Sequence, residues 1–214
     1  RTLIAILIVC TAMIVGSARA AAPVGTPSNA AAAGQSADPV AVIKRLQATL
    51  IQTMKDGQKL GFQGRYKRLE PVVVQTHDFA FIARLVLGSD GAKLSTDQQN
   101  QFVKAFTQLG VSTYAKEFNS YSGEHFDQGG TQANAGSTVV YSTLVIADHD
   151  PVKFEYQMHR VGANWMIVNI IADGVSDLAL KRTQYRELLR QKGFSGLLAW
   201  ITEQTQKNSQ ESSS

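Results

Sequence analysis

From residue 38 onward, apolar residues recur with two different periods. After Asp38-Pro39, Val42, Leu46, Leu50 and Thr53 repeat at helical spacing. Asp38 can cap and Pro39 suits a first helical position, so the pattern predicts a helix from there to about Gly57. A second helical piece runs from Tyr66 to Thr76, entered through Gly64. A third, HDFAFIARLVLG, is apolar nearly all round. Phe79, Ile82, Leu85 and Val86 share one face, Phe81 and Leu87 extend another, and Gly88 closes it. The fourth opens on Ser95-Thr96-Asp97-Gln98, a capping box. Its stripe is Phe102, Phe106 and Leu109, widened by Val103, Tyr114 and Phe118, and it ends between Asn119 and Gly123.

The period then changes to two. Residues 123–128, 137–147, 152–160 and 164–172 read as four strands. The links Asp148–Pro151 and Val161–Ala163 are short, so the strands form hairpins and the sheet is antiparallel. Two helices follow. One is capped by Ser176 and stopped by Gly193; the other is capped by Ser195 and carries Leu197, Leu198, Trp200 and Ile201. The expected class is α+β, with several helices packed on a four-stranded antiparallel sheet. The run NWMIVNIIADGVS, Asn164 to Ser176, is unusual in that both alternating sets are apolar. Trp165, Ile167 and Ile171 fall on one side, and Met166, Val168 and Ile170 on the other. An antiparallel strand usually keeps one wet face. The second face is covered either by a sealed core or by an apolar pocket between sheet and helices, and the residues leave both open.

Outside this region the patterning disappears. RTLIAILIVCTAMIVGSARA has an apolar core from Leu3 to Val15, followed by the small-residue site Ala18-Arg19-Ala20. It reads as a secretory signal peptide over residues 1–20, with a core too short to span a bilayer comfortably. Residues 21–37 are Ala, Gly, Pro and Ser without a period, a flexible linker. Residues 207–214, KNSQESSS, read as a disordered tail, leaving residues 38–206 as one domain. Cys10 lies in the leader, so an exported chain folds without disulfides.

Composition narrows the function. Of the 214 residues 44% are hydrophobic and 18% charged, which is globular usage. The formal charge of +4 falls to about +2 once Arg1 and Arg19 leave with the leader. No stretch interleaves basic and aromatic residues, so nucleic acid is not an expected partner. No histidine has a persuasive catalytic setting. His77-Asp78 sit at a helix start, His125 and Glu124 diverge on a strand, Asp148-His149-Asp150 occupies a turn, and His159 ends a strand. There is no serine elbow, phosphate loop or dinucleotide fingerprint. The expectation is no catalytic residue, no metal and no cofactor. The rival is a small α+β enzyme acting on an apolar substrate, for which Tyr141 and Tyr156 are the nearest candidates, neither with an evident partner.

Several short motifs carry a family likeness. They are Trp165, then Asp173-Gly174-Val175-Ser176, then Arg190-Gln191-Lys192-Gly193, together with Ile82-Ala83-Arg84-Leu85-Val86-Leu87-Gly88. Through them residues 38–204 resemble the toluene-tolerance or MlaC family of periplasmic lipid carriers. The segment YAKEFNSYSGEHF, Tyr114 to Phe126, is particularly similar to its hopanoid-associated HpnM branch. One departure is Asn169, where the family often has Asp. The resemblance implies a soluble shuttle between inner and outer membranes, with a deep apolar pocket for phospholipid or hopanoid. It implies an inner-membrane transporter complex of MCE–ABC or RND type as one partner and an outer-membrane acceptor or donor as the other. The residues expected to line the pocket are Phe79, Ile82, Leu85, Val86, Phe106, Val168, Ile170 and Val175, with Val175 at the mouth.

Overall fold

A computed structural model describes residues 38–211. The leader and linker expected over residues 1–37 lie outside the described residues, as do residues 212–214. The described chain comprises helices α1 (Pro39–Lys55), α2 (Gly57–Thr76), α3 (Phe79–Gly91) and α4 (Thr96–Glu117). Strands β1 (His125–Asn134), β2 (Ser137–Val145), β3 (Val152–Val161), β4 (Asn164–Ala172) and β5 (Val175–Ser176) follow, and α5 (Asp177–Glu211) ends it. The strands lie in sequence order and pair antiparallel throughout. This is the expected α+β arrangement, with five strands where four were expected.

The local signals act as their chemistry suggests. Asp38 accepts from Val40 N ahead of Pro39. Ser95 and Gln98 exchange both hydrogen bonds of the capping box. Three boundaries differ most from the sequence expectation. The second helix starts at Gly57, not near Tyr66. Its added turns carry Arg65, a buried side chain that donates to Ala115 O at 2.7 Å and Gly57 O at 2.9 Å, tying α2 to α4. The first strand extends to Asn134. The last helix continues through Lys207 to Glu211, into the segment expected as a tail, and Asn208 donates to Ser112 Oγ at 2.9 Å.

The doubly apolar run 164–172 contains a β-bulge. Met158 opposes Ile167, while Gln157 opposes Asn169, which leaves Val168 as the extra residue of β4. The bulge shifts the alternation by one. Trp165 and Ile167 before it share a face with Ile170 and Ala172 after it, opposite Met158, Tyr156 and Phe154. Trp165, Ile167 and Ile170, drawn from both sets, therefore form one inward face read in two phases, while Met166 and Ile171 lie on the other.

The apolar interior forms two clusters. One joins the sheet to α1, α2 and the end of α4, through residues such as Leu46, Leu69, Val111, Tyr156 and Ile167. The other is all-helical, built by α3, the first half of α4, and α5, around Val86, Phe102, Tyr185, Leu197 and Ile201. Two glycines permit the second cluster. Gly88 (φ 56°, ψ −137°) and Gly193 (φ 66°, ψ −176°) break α3 and α5 in a backbone region left almost wholly to glycine. At Gly88 an added Cβ would stand 1.5 Å from Arg186 Nη2, so the Arg186 side chain of α5 lies against the α3 backbone there. Gly88→Ala is expected to lower unfolding free energy by at least about 2 kcal/mol in urea titration. Gly130→Ala, where a Cβ meets open space, is expected to stay within about 0.5 kcal/mol of the parent.

Candidate functional site

Between the two clusters lies a cavity of about 680 Å³, within the range of small-molecule and cofactor sites. The sheet cluster contributes Leu46, Leu50, Phe154, Tyr156, Ile167 and Ile170 to its wall, and the helical cluster contributes Ile82, Phe106, Leu109 and Tyr185. Phe79 packs against both clusters and also lines the space. Around these stand polar side chains of α4 and α5, among them Glu117, Asp177, Lys181, Gln184 and Gln191. Asp177 and Lys181 form an ion pair on adjacent turns.

Of the eight residues expected at a pocket, Phe79, Ile82, Phe106, Val168 and Ile170 line this cavity. Val168 does so as the bulged residue of β4. The other three are not among the residues around it. Leu85 is 37% exposed, because its position on α3 turns it away from both clusters. Val86 has no exposure, packed inside the helical cluster and away from the cavity. Val175 is half-buried in β5, where it pairs with Ala172, and is not part of the wall.

The motif Asp-Gly-Val-Ser has a local mechanical role instead. Asp173 (φ 48°) and Gly174 (φ 81°) take positive φ in succession, the two-residue turn that folds β5 back on β4. Asp173 accepts from Lys153 N at 2.9 Å, and Ser176 accepts from Ala179 N at 3.2 Å to start α5. Asn169 completes the corner. Its Oδ1 accepts from Ser176 Oγ and Leu178 N, both at 3.1 Å, and its Nδ2 donates to Gln157 at 3.0 Å. An aspartate there could accept the same two bonds but could not donate the third. The segment thus aims the first turns of α5, with Asp177, Leu178 and Lys181, at the cavity.

Sequence reasoning missed the polar groups in the wall. His77 is 6% exposed. Its Nδ1 lies 2.9 Å from Val73 O, which can only accept, so Nδ1 carries the proton. Nε2 then accepts from the Tyr114 hydroxyl at 3.2 Å. Burial, with Lys181 adding to it, lowers the His77 pKa to about 4 and fixes the ring as neutral. Burial likewise raises Tyr114, and raises Tyr156 to about 12. Tyr156 accepts from Gln47 Nε2 at 3.4 Å, and Gln47 also donates to Ser142 and accepts from Gln128. The other tyrosine candidate, Tyr141, donates to Gln132 on the exposed side of the β1–β2 ribbon and takes no part in the wall. Only the position of His77, at the corner before the most apolar helix, hinted at this role.

Among the described residues no cluster of three His, Cys, Asp or Glu could hold a metal. No described helix is long and apolar enough to cross a membrane.

The family model described as MlaC protein matches residues 44–203. Among solved structures, the phospholipid-binding protein from Ralstonia solanacearum, determined in complex with a phospholipid, shares the fold at a TM-score of 0.71. The two are 21% identical, over 80% of this chain and 99% of that one.

The neutral His77 ring makes stability depend on pH in a definite direction. Its folded pKa lies below the value near 6.5 of an unfolded histidine, so the unfolded chain binds the extra proton first. The stabilisation is present above pH 6.5 and is lost as pH falls toward 4. It amounts to roughly 3 kcal/mol. In urea titrations at pH 7 and pH 4, the parent is expected to lose about that much more stability than His77→Gln. An equal loss in both would show that the ring does not titrate this way.

Proposed function

The chain belongs to the MlaC family, and on that premise we propose that it is a lipid carrier holding the acyl or ring portion of one lipid in the cavity between its two clusters. The observation that carries this reading is the cavity itself: about 680 Å³ of mainly apolar lining, in a fold shared with a protein solved around a phospholipid. The physics asks for little more. Each exposed CH₂ costs about 0.8 kcal/mol in water, so a sixteen-carbon chain costs on the order of 12 kcal/mol to leave wet. A shuttle removes that barrier by supplying apolar surface and needs no reaction.

The finer reading places the protein in the periplasm, exported by the leader over residues 1–20 and carrying residues 21–37 as a linker to the folded carrier. Its cargo is phospholipid, or hopanoid if the chain belongs to the HpnM branch. It exchanges cargo with an inner-membrane transporter complex and an outer-membrane acceptor. The polar residues of α4 and α5 at the cavity suit a headgroup kept near solvent. Release follows contact with a partner that binds the emptied or opened form more tightly. Gly193 is suited to that step, because residues before and after it in α5, such as Leu188 and Trp200, both line the cavity.

The test is native mass spectrometry of protein purified from cells, followed by lipid extraction. The parent is expected to carry about one lipid per chain. Ile170→Asp, which places a charge in the wall, is expected to fold by circular dichroism but to lose at least tenfold of that lipid. Leu85→Asp, on the exposed side of α3, is expected to carry the normal amount. A parent that is empty from every host and takes up no lipid from vesicles would overturn the reading.

A further inference from the structure

Tyr185 differs from the other tyrosines at the cavity. It is 1% exposed and lines the space from α5. Edge-on contacts hold its ring, to Phe102 at 6.1 Å, Phe106 at 5.8 Å and Trp200 at 5.6 Å. Tyr114 is paired with His77, and Tyr156 accepts from Gln47. The Tyr185 hydroxyl has no hydrogen-bond partner among the described residues. Burial raises its pKa strongly, with Asp177 adding to the effect, so it is a neutral donor at any physiological pH.

A phenylalanine would fill the same ring contacts without a hydroxyl that the protein leaves unpaired at the cavity. A hydroxyl at such a position is best matched by an acceptor that the protein does not supply. The helix also places it in useful company. Lys181 stands four residues earlier on the same face, about 6 Å along the axis, and lines the same cavity. A glycerophospholipid presents an anionic phosphate and an ester carbonyl at a comparable separation.

We propose that Tyr185 determines specificity in this cavity by donating its hydroxyl proton to an ester carbonyl of a diacyl phospholipid, which favours such lipids over those without an ester, such as dialkyl ethers and triterpenoid hydrocarbons. The inference rests on the carrier reading and names the chemical class of its cargo. Lys181 faces the phosphate while its partner Asp177 stays at the start of the helix. The ether oxygen of a dialkyl lipid is a weaker acceptor than an ester carbonyl and leaves the hydroxyl largely unpaired.

The experiment loads delipidated full-length protein from vesicles containing equal amounts of diacyl and dialkyl-ether phosphatidylethanolamine of matched chain length, then counts each lipid in the extracted protein by mass spectrometry. The parent is expected to carry the diacyl form in about fivefold excess, the ratio one neutral hydrogen bond gives. Tyr185→Phe is expected to load the two forms about equally and to melt no lower than the parent. If both proteins load lipid with the same preference, the Tyr185 assignment falls and the carrier reading stands. If neither loads lipid, both fall. A Tyr185→Phe protein that melts several degrees lower would show the hydroxyl already engaged within the protein, and would also overturn the assignment.

Discussion

A neutral imidazole at one corner of the chain holds the two halves of the molecule together. His77 ends α2, and its backbone bridges to Ile167 of β4 while Asp78 N donates to Ile167 O at 3.0 Å. Its ring closes the last turn of α2 through Val73 O and reaches α4 through Tyr114. Asp78 then caps α3 by accepting from Phe81 N at 2.9 Å, and its other oxygen lies 2.9 Å from His159 Nε2 on β3. One dipeptide thus fixes α2, α3, α4 and the sheet relative to one another. An unpaired buried polar group costs about 1–3 kcal/mol, so these bonds are hard to exchange for others. They fix how the sheet cluster and the helical cluster sit on either side of the cavity.

Aromatic rings line the seam that results. Trp200, Tyr185, Phe106, Phe79, His77, Tyr114 and Phe118 follow one another in contact from α5 to the end of α4. Rings are bulky and have few rotamers, so they brace a wall without filling the space in front of it. The polar atoms they carry are mostly matched within the protein. A carrier of the proposed kind gains from this arrangement, since a stiff wall keeps the cavity open while a lipid is absent. The cost is a core less complete than one merged cluster would provide.

The sheet-to-helix corner sets what the cavity meets on its polar side. Asp173-Gly174 turns the strand, Ser176 starts the helix, and Asn169 joins the two. The same corner orients Lys181 and Tyr185 along one side of α5. A motif that looks like a label of kinship is therefore a piece of geometry. Val175, expected at the mouth from where it falls in the chain, pairs with Ala172 just after that turn.

The sequence by itself determined the helices, four of the five strands and their order, because these depend on near neighbours. The capping box at Ser95, the Asp38-Pro39 start, the hairpin turns and the glycine breaks at Gly88 and Gly193 are written in adjacent residues. The apolar character of the cavity wall was also legible in Phe79, Ile82, Phe106 and Ile170. Periodicity could not reveal the bulge at Val168, since a phase shift depends on how β3 pairs with β4. It could not separate Ile82, which meets the cavity, from Leu85, which meets water, or from Val86, which meets only core, because all three suit an apolar helix. The polar partners in the wall were hidden for the same reason. Gln47 reaches Ser142, His77 reaches Tyr114, and Tyr185 lacks a partner, only once distant segments have packed. Local chemistry chose the pieces; contacts between residues far apart in the chain decided where two cores stop short of meeting.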